Sequence, residues 1–528
     1  MHEQLPFMLA LVAAIVLIEM LATKLRIAYP VLLVVAGLLI SFVPGLPKVP
    51  VDPDMIFFIF LPPLLFEAAW SISLKEMKKW YRIIGSFAFL VVLFSAFSVA
   101  VATTYIIPGF TLALGFLLGG IVSPPDAVST GAIMKFVKVP KGTTAILEGE
   151  SLLNDASSLI IFNFAAVAVV TGKFSLQTAT LEFLWMVIGG VGIGLIFGWL
   201  FKHMHRLLPT DASSDIALTL IEPYFLYWVA EHLGSSGVLA VVTGGLFLSN
   251  QRLSFLSSSS RISAYNFWDA FIFILNGIVF MLIGLELPEV VDGLKKDGIP
   301  LITAIGYGIL VTAVLIAARI ISSYTALLTT LIFRPSVAPY RGDTRRMLKM
   351  PLLLGWTGMR GVVSLAAALA IPVFIKETAI PFPHRNLILF ITFMVILLTL
   401  LIQGLTLPYF ITRTKLFDGI GNEMGEDEAK LKVRSDLAMH TLKLLKAKHE
   451  QGDFKDPHLQ KMIDQWEHKI NQPEIMKMSA ENRRNYLELL ENQRRFLAEL
   501  NKDPLLDEEI IRWQTYQIDL EEERVKLL

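Results

Sequence analysis

Residues 115–136 read GFLLGGIVSPPDAVSTGAIMKF. The run is apolar enough to lie in a bilayer, yet Gly119, Gly120, Pro124 and Pro125 interrupt it midway and Asp126 follows at once. A helix broken in hydrocarbon exposes unpaired N–H and C=O groups, tolerated only where protein or a wet cavity satisfies them. A second run, LLLGWTGMRGVVSLAAALAIP at 352–372, is broken in the same way, with Gly355, Gly358 and Gly361 around Arg360. Two independent kinks are common in membrane helices. An acid at one break and a base at the other point instead to a shared site where the breaks cross. There Asp126 and Arg360 can offset the partial charges of opposed half-helix ends.

The rest of the chain supplies the frame. Its 528 residues are 54% hydrophobic and only 17% charged, where a soluble chain carries about 25% charge. The 46 basic and 46 acidic residues cancel, so no global field draws in nucleic acid. There is no cysteine, which removes disulfides, thiolate metal sites and thiol nucleophiles together. Roughly half of the charges lie after Arg413. Before it come about thirteen apolar stretches, each near the length that spans ~30 Å of hydrocarbon. The expected fold is an all-α polytopic membrane domain over 1–412 and a charged helical tail over 413–528. In the tail, HTLKLLKAKHEQ and ENRRNYLELLENQRRFLAELNKD space apolar residues by three and four between charges, as amphipathic helices do.

The broken stretches are the fifth, 110–137, and the twelfth, 349–376. An odd separation makes them run antiparallel, as an inverted repeat requires. Alternate loops also separate by charge. Lys24, Arg26, Lys75, Arg82, Lys135, Lys138, Lys202, Arg206, Arg252, Arg334 and Arg341 fall in one set, and only Lys48, Lys173, Lys295, Lys296, Lys376 and Arg385 in the other. The positive-inside rule then puts the N-terminus outside and the tail in the cytoplasm. The first stretch lacks a basic leader, so no cleavable signal peptide is expected.

The sixth stretch, 144–171, contains GESLLNDASSLIIFNFAAVAV at 149–169. A charge at membrane depth costs roughly 2.5–3.5 kcal/mol on insertion scales, and here there are two. At 100° per residue Glu150, Ser151, Asn154 and Asp155 share one helix face. Such an oxygen-rich face suits a hard cation. Glu150 needs a buried counter-charge; Arg319, in LIAARIISSY of the eleventh stretch, is the first candidate and Arg360 the second. That leaves Asp155 without a basic partner, a carboxylate able to hold a cation or a proton but not both. Competition there, in a site that opens to alternate sides, is sufficient for exchange. Glu19, Glu222, Glu231, Asp269 and Glu286 are expected to be mostly interfacial or hydrogen-bonded. Glu67 is expected to be structural or to line an entry path. GGVGIGLIFG at 189–198 looks like a glycine face for close packing, not a nucleotide loop.

GESLLNDA at 149–156, LPPLLFEAAW at 61–70, SPPDAVS at 123–129 and GMRGVVSLAAAL at 358–369 together resemble the monovalent cation/proton antiporters of the CPA1 class, bacterial NhaP-type exchangers most of all. The resemblance covers about residues 5–412 and implies a thirteen-span NhaA-like fold. It also implies a homodimer in the plasma membrane, a mobile six-helix core and a part in pH regulation. By matching motif positions, Asp155 is the ion- and proton-binding carboxylate and Asn154 its amide neighbour. Glu150 and Ser151 shape the site, Arg319 pairs with the glutamate, and Arg360 is the arginine of the twelfth helix. Asn-Asp rather than Asp-Asp at 154–155 implies electroneutral exchange of Na⁺ or Li⁺ for H⁺, without a cofactor. Potassium/proton exchange by the same site is the near alternative. One departure stands out: where the family commonly has Thr-Asp-Pro, this chain has Pro124-Pro125-Asp126, with the carboxylate falling later in the break. Ser123 can then supply a hydroxyl or carbonyl in its place. Two other classes are disfavoured. An intramembrane aspartyl protease using Asp126 and Asp155 lacks the Tyr-Asp and Gly-x-Gly-Asp elements, and a channel lacks a repeated filter.

Overall fold

The computed structural model describes residues 4–25, 27–43, 53–134, 141–172, 176–208, 210–333, 344–375, 380–414, 426–450, 460, 463–467, 480–500 and 508–526. Arg26, Lys48, Lys135, Lys138, Lys173, Arg334, Arg341 and Lys376, which entered the loop-charge comparison, lie outside the described residues. The chain divides into two compact units, Met1–Asp418 and Gly419–Leu528.

The first unit is built from α1 (Gln4–Leu25), α2 (Tyr29–Ser41), α3 (Pro53–Ser71), α4 (Leu74–Gly85), α5 (Val92–Ile106), α6 (Leu112–Val122), α7 (Ala127–Met134) and α8 (Lys141–Thr171). It continues through α9 (Leu176–Leu207), α10 (Ala212–His232), α11 (Gly237–Phe255), α12 (Ser258–Lys296) and α13 (Leu301–Phe333). It closes with α14 (Thr344–Trp356), α15 (Val362–Leu369), α16 (Arg385–Leu398) and α17 (Gly404–Thr414). Short π turns, Ser86–Val91 and Thr399–Gln403, join α4 to α5 and α16 to α17 without ending either helix. Side-chain oxygens start several helices where the sequence places them: Thr111 accepts from Leu114 N, Asp211 from Ser214 N and Ser236 from Leu239 N.

Among the described residues, seven helical stretches are long and apolar enough to cross a bilayer: Pro6–Leu25, Leu74–Ile106, Gly142–Thr171, Ala179–Leu207, Ser258–Lys296, Leu301–Thr329 and Arg385–Ile411. Tyr29–Ser41, Phe57–Ser71 and Leu112–Val122 are shorter apolar helices. The protein is an all-helical, multi-span membrane protein. Its helix α12, at 39 residues, is longer than a bilayer crossing needs.

Small residues set the packing distances. At the α5–α6 crossing, a Cβ on Gly119 would sit 2.5 Å from the Ala96 carbonyl oxygen. On α9 the glycine face works as expected, since a Cβ on Gly194 would sit 2.5 Å from the Ala240 oxygen of α11. Gly37 and Gly284 let α2 and α12 touch backbone to backbone, against Met281 and Val34 carbonyls. One large cluster joins α2, α6, α12, α15 and α16 through residues such as Leu33, Leu117, Phe280, Leu365 and Phe390. A second joins α3, α8, α9, α10, α11 and α12 through Phe66, Leu152, Phe201, Leu226, Val241 and Trp268.

The second unit contains α18 (Glu426–Glu450), α19 (Ala480–Leu500) and α20 (Glu508–Lys526). Leu490, Leu497 and Ile518 form a small core between α19 and α20. Arg494 is held there by Glu522, Asp519 and Glu491, and the first two raise its proton affinity further above the usual range.

Candidate functional site

The two breaks meet. The first, 123–126, separates α6 from α7, and the second, 357–361, separates α14 from α15. Their backbones bond directly, with Asp126 N–H donating to the Met359 oxygen at 2.7 Å. Arg360, fully buried, donates through Nε to Val122 O at 2.7 Å and through Nη2 to Ser123 O at 3.2 Å. A cation thus closes the last carbonyls of α6, where the helix dipole is negative. Asp126 does the converse at the start of α7. Its carboxylate accepts from Val128 N at 3.3 Å, Ser129 N at 3.0 Å and Ser129 Oγ at 2.5 Å. The glycines of the second break are required by close approach. A Cβ on Gly361 would sit 2.5 Å from Asp126 Oδ2, and one on Gly358 would fall between Arg319 Cδ at 2.6 Å and Arg360 Nη1 at 2.7 Å.

Helix α8 passes beside this crossing. Glu150 accepts from Arg319 in a two-pronged pair, Nη1 to Oε1 at 2.6 Å and Nη2 to Oε2 at 2.9 Å. Both residues are almost wholly buried, 0% and 1% exposed. Arg360, the second candidate for that pairing, makes no ion pair with Glu150 among the described residues. Its guanidinium is committed to the α6 carbonyls. Asn154 Nδ2 donates to the Pro125 oxygen at 3.1 Å, tying α8 to the first break, while Asn154 Oδ1 and the Ser123 hydroxyl are buried without partners. Asp155 is 7% exposed. Its carboxylate has no hydrogen bond or basic partner among the described residues, and the charge acting on it is that of Asp126. Ser151 lies on the same face of α8, half-buried.

Two π turns brace the site, a feature the sequence pattern does not reveal. Ser157, two residues past Asp155, donates to the Ala88 oxygen in the first π turn at 2.5 Å. Thr399, which opens the second, accepts from Arg360 N–H at 3.2 Å. Such turns present carbonyls and side chains that a regular helix would hide.

Two cavities reach into the helices around the site. One of about 740 Å³ touches Leu159, Ile160 and Asn163, one to two turns beyond Asp155. The other, about 530 Å³, touches Val128, Gly131 and Ala132 of α7 and is lined by Glu19, Glu67, Asp269 and Asn276. Both cavities touch α3, the first at Phe57 and Phe58 and the second at Glu67, two to three turns further along the helix. Glu67 lines this acidic cavity. Of the other acids, Glu19 accepts from Thr23, Glu231 accepts from Gly237 N–H, and Glu222 is buried against His205. Among the described residues no group of His, Cys, Asp and Glu is arranged to hold a metal ion.

Crossed helix breaks with compensating charges, beside a buried acid in a multi-span helical protein, define a secondary transporter of a small ion. The family model for the transmembrane sodium/hydrogen exchanger matches residues 8–413, and the chain belongs to that family. It is a monovalent cation/proton antiporter and not an enzyme, which removes the protease alternative. An uncharacterized Na⁺/H⁺ exchanger of Mycobacterium tuberculosis is 30% identical over 97% of this chain and 94% of its own length. A sodium, potassium, lithium and rubidium/H⁺ antiporter of Bacillus subtilis is 33% identical over 72% of this chain and 57% of its own. The structure of the sodium proton antiporter MjNhaP1 from Methanocaldococcus jannaschii shares the fold with a TM-score of 0.61, at 18% identity, over 78% of this chain and 99% of that one.

Proposed function

We propose that the protein exchanges Na⁺ or Li⁺ for H⁺ across the plasma membrane, electroneutrally, with cation and proton competing for Asp155. One observation carries this: Glu150 is neutralised by Arg319, leaving Asp155 as the buried carboxylate beside the crossing with no basic partner. A cation bound there replaces the proton that otherwise neutralises the acid, so one leaves when the other arrives. Asn154, Ser151 and Ser123 add neutral oxygens. Asn154 Oδ1 and the Ser123 hydroxyl are buried and still unpartnered, which is the condition of ligands awaiting an ion. Asp126 acts from its capping position by charge, and Glu150, Arg319 and Arg360 hold the geometry. The two cavities, separated along α3, fit alternating access.

The same proposal takes the helices as thirteen crossings, with α6–α7 and α14–α15 as the two broken ones in an NhaA-like inverted repeat. It places the N-terminus outside, residues 413–528 in the cytoplasm and two chains in a homodimer, with a part in pH regulation. Potassium/proton exchange is the second possibility, favoured by the name of the Bacillus relative. Everted vesicles carrying a pH dye test both: Na⁺ and Li⁺ should dequench it and Asp155→Asn should not respond. A response confined to K⁺ and Rb⁺ selects the second possibility, and no response to any cation rejects both.

A further inference from the structure

A second buried polar cluster lies away from the crossing, between α9 and α10. His205, in the last turn of α9, has both ring nitrogens against carboxylates: Nδ1 is 2.8 Å from Asp215 Oδ1 and Nε2 is 2.8 Å from Glu222 Oε1. The three side chains are 0%, 5% and 1% exposed, and Phe255 covers the ring at a centroid distance of 5.2 Å.

Chemistry fixes the hydrogens. Ionised carboxylates only accept, and a neutral imidazole offers a single N–H. Two short contacts therefore need two hydrogens among the three groups. Either an imidazolium sits between two carboxylates, or a neutral imidazole sits between one carboxylate and one carboxylic acid. Both forms leave one net negative charge in an enclosed place. Glu222 Oε2 is moreover buried with no partner among the described residues. A buried anionic oxygen without a donor is costly, and one more proton neutralises the cluster.

We propose that His205, Asp215 and Glu222 form a second proton-binding site, separate from the helix breaks, whose loading sets the pH range over which the transporter runs. The proton binding stands on this geometry alone, while the effect on transport rests on the exchange proposed above. The electrostatic partners of His205 are Asp215 and Glu222 themselves. Of the charged groups on adjoining elements, Lys202 of α9 is turned to Gln251 of α11, and Arg206, Asp211 and Arg252 are exposed. Asp269 of α12 and Glu67 of α3 belong to the acidic cavity. A packed route leads to the ion site. Thr219, between Asp215 and Glu222 on α10, accepts from Trp268 Nε1 at 3.2 Å, and the Trp268 ring lies 5.4 Å from Phe66. Both aromatics share one hydrophobic cluster with Leu152 and Ala156, which bracket Asn154 and Asp155 on α8.

Infrared difference spectra of the purified full-length protein, stepped from alkaline to acidic pH, test the first half. Asp155 contributes a protonated-carboxyl band of its own, so the comparison is made in the Asp155→Asn protein: the band that appears there on acidification should lose intensity when Glu222→Gln is added. Undiminished intensity in the double variant overturns the site. For the second half, exchange in everted vesicles is followed against pH in Glu222→Gln and Asp215→Asn. Each profile should move by about one pH unit, the displacement of a tenfold change in proton affinity, with the cation KM on the plateau unchanged. Profiles that overlay the native one overturn the regulatory role. If one of the two cluster variants does not fold, the other serves in both measurements. Native vesicles without exchange would reject the proposed transport while leaving the infrared test of the cluster intact.

Discussion

Replacing Glu150 with glutamine should cost the protein more stability than any change on its lipid-facing surface. The substitution keeps the shape but withdraws the anion paired with Arg319, in a setting where both are almost fully buried. Arg319 is then left charged, its Nε already without a partner. Arg360 lies just across Gly358, which has no room for a Cβ between the two side chains. Two buried cations would face each other with their anion gone. Breaking a buried pair from one side costs about 3–5 kcal/mol, and Arg319→Ala should cost a similar amount by stranding Glu150. The pair is also expected to be coupled. Glu150→Gln with Arg319→Met removes both charges and should recover most of the loss, because the stranded charge rather than the absent attraction dominates. Thermal melting of the detergent-purified protein, followed by size-exclusion recovery, reads this directly. Each single variant should melt roughly 5–10 °C below the native protein and the double variant should melt well above both. Single variants that melt with the native protein, or a double variant worse than either single, would refute the stranded-charge explanation.

Other substitutions probe the crossing and the tail. Gly361→Ala forces a methyl onto Asp126 Oδ2, so the cap of α7 must shift; transport in vesicles should fall at least tenfold while the protein still accumulates in the membrane. Thr399→Val removes the acceptor for Arg360 N–H and should cost about 1 kcal/mol in melting, with Thr399→Ser restoring it. Gly284→Ala drives a methyl into the α2 backbone, and the melting temperature should drop by several degrees for roughly 1–3 kcal/mol of overpacking. Arg494→Ala breaks only partly exposed pairs in the second unit, so its effect on melting should stay within about 1 kcal/mol.

Much of the site could be read from the chain because its chemistry obeys counting rules. Proline pairs and glycines announce breaks, and two acids in one apolar helix demand either a base or a proton. Arg319 was the base within an otherwise apolar stretch, and it is the residue that meets Glu150. Arg360 was harder to place. A guanidinium can satisfy carbonyls as well as carboxylates, and only the folded crossing shows that Val122 and Ser123, far away in the chain, present theirs. Asp126 explains its own departure from the family pattern: directly after the prolines, it sits where the first N–H groups of α7 emerge. The His205 cluster left almost no trace. His205 stands among basic residues at a helix end, and Glu222 beside a proline suggests an edge rather than a buried partner. Their meeting depends on how α9 and α10 fold back on each other, which apolar periodicity does not encode. The π turns are invisible for a similar reason, since one extra residue per turn leaves an all-apolar run looking the same.

Calorimetry of cation binding to the purified protein, repeated in buffers of different ionisation enthalpy, puts the shared carboxylate to its most direct trial. Sodium should displace close to one hydrogen ion for each ion bound near neutral pH, and Asp155→Asn should abolish that release. Uptake of the metal ion with no displacement of hydrogen ions at any pH, or release that survives in Asp155→Asn, would contradict the account.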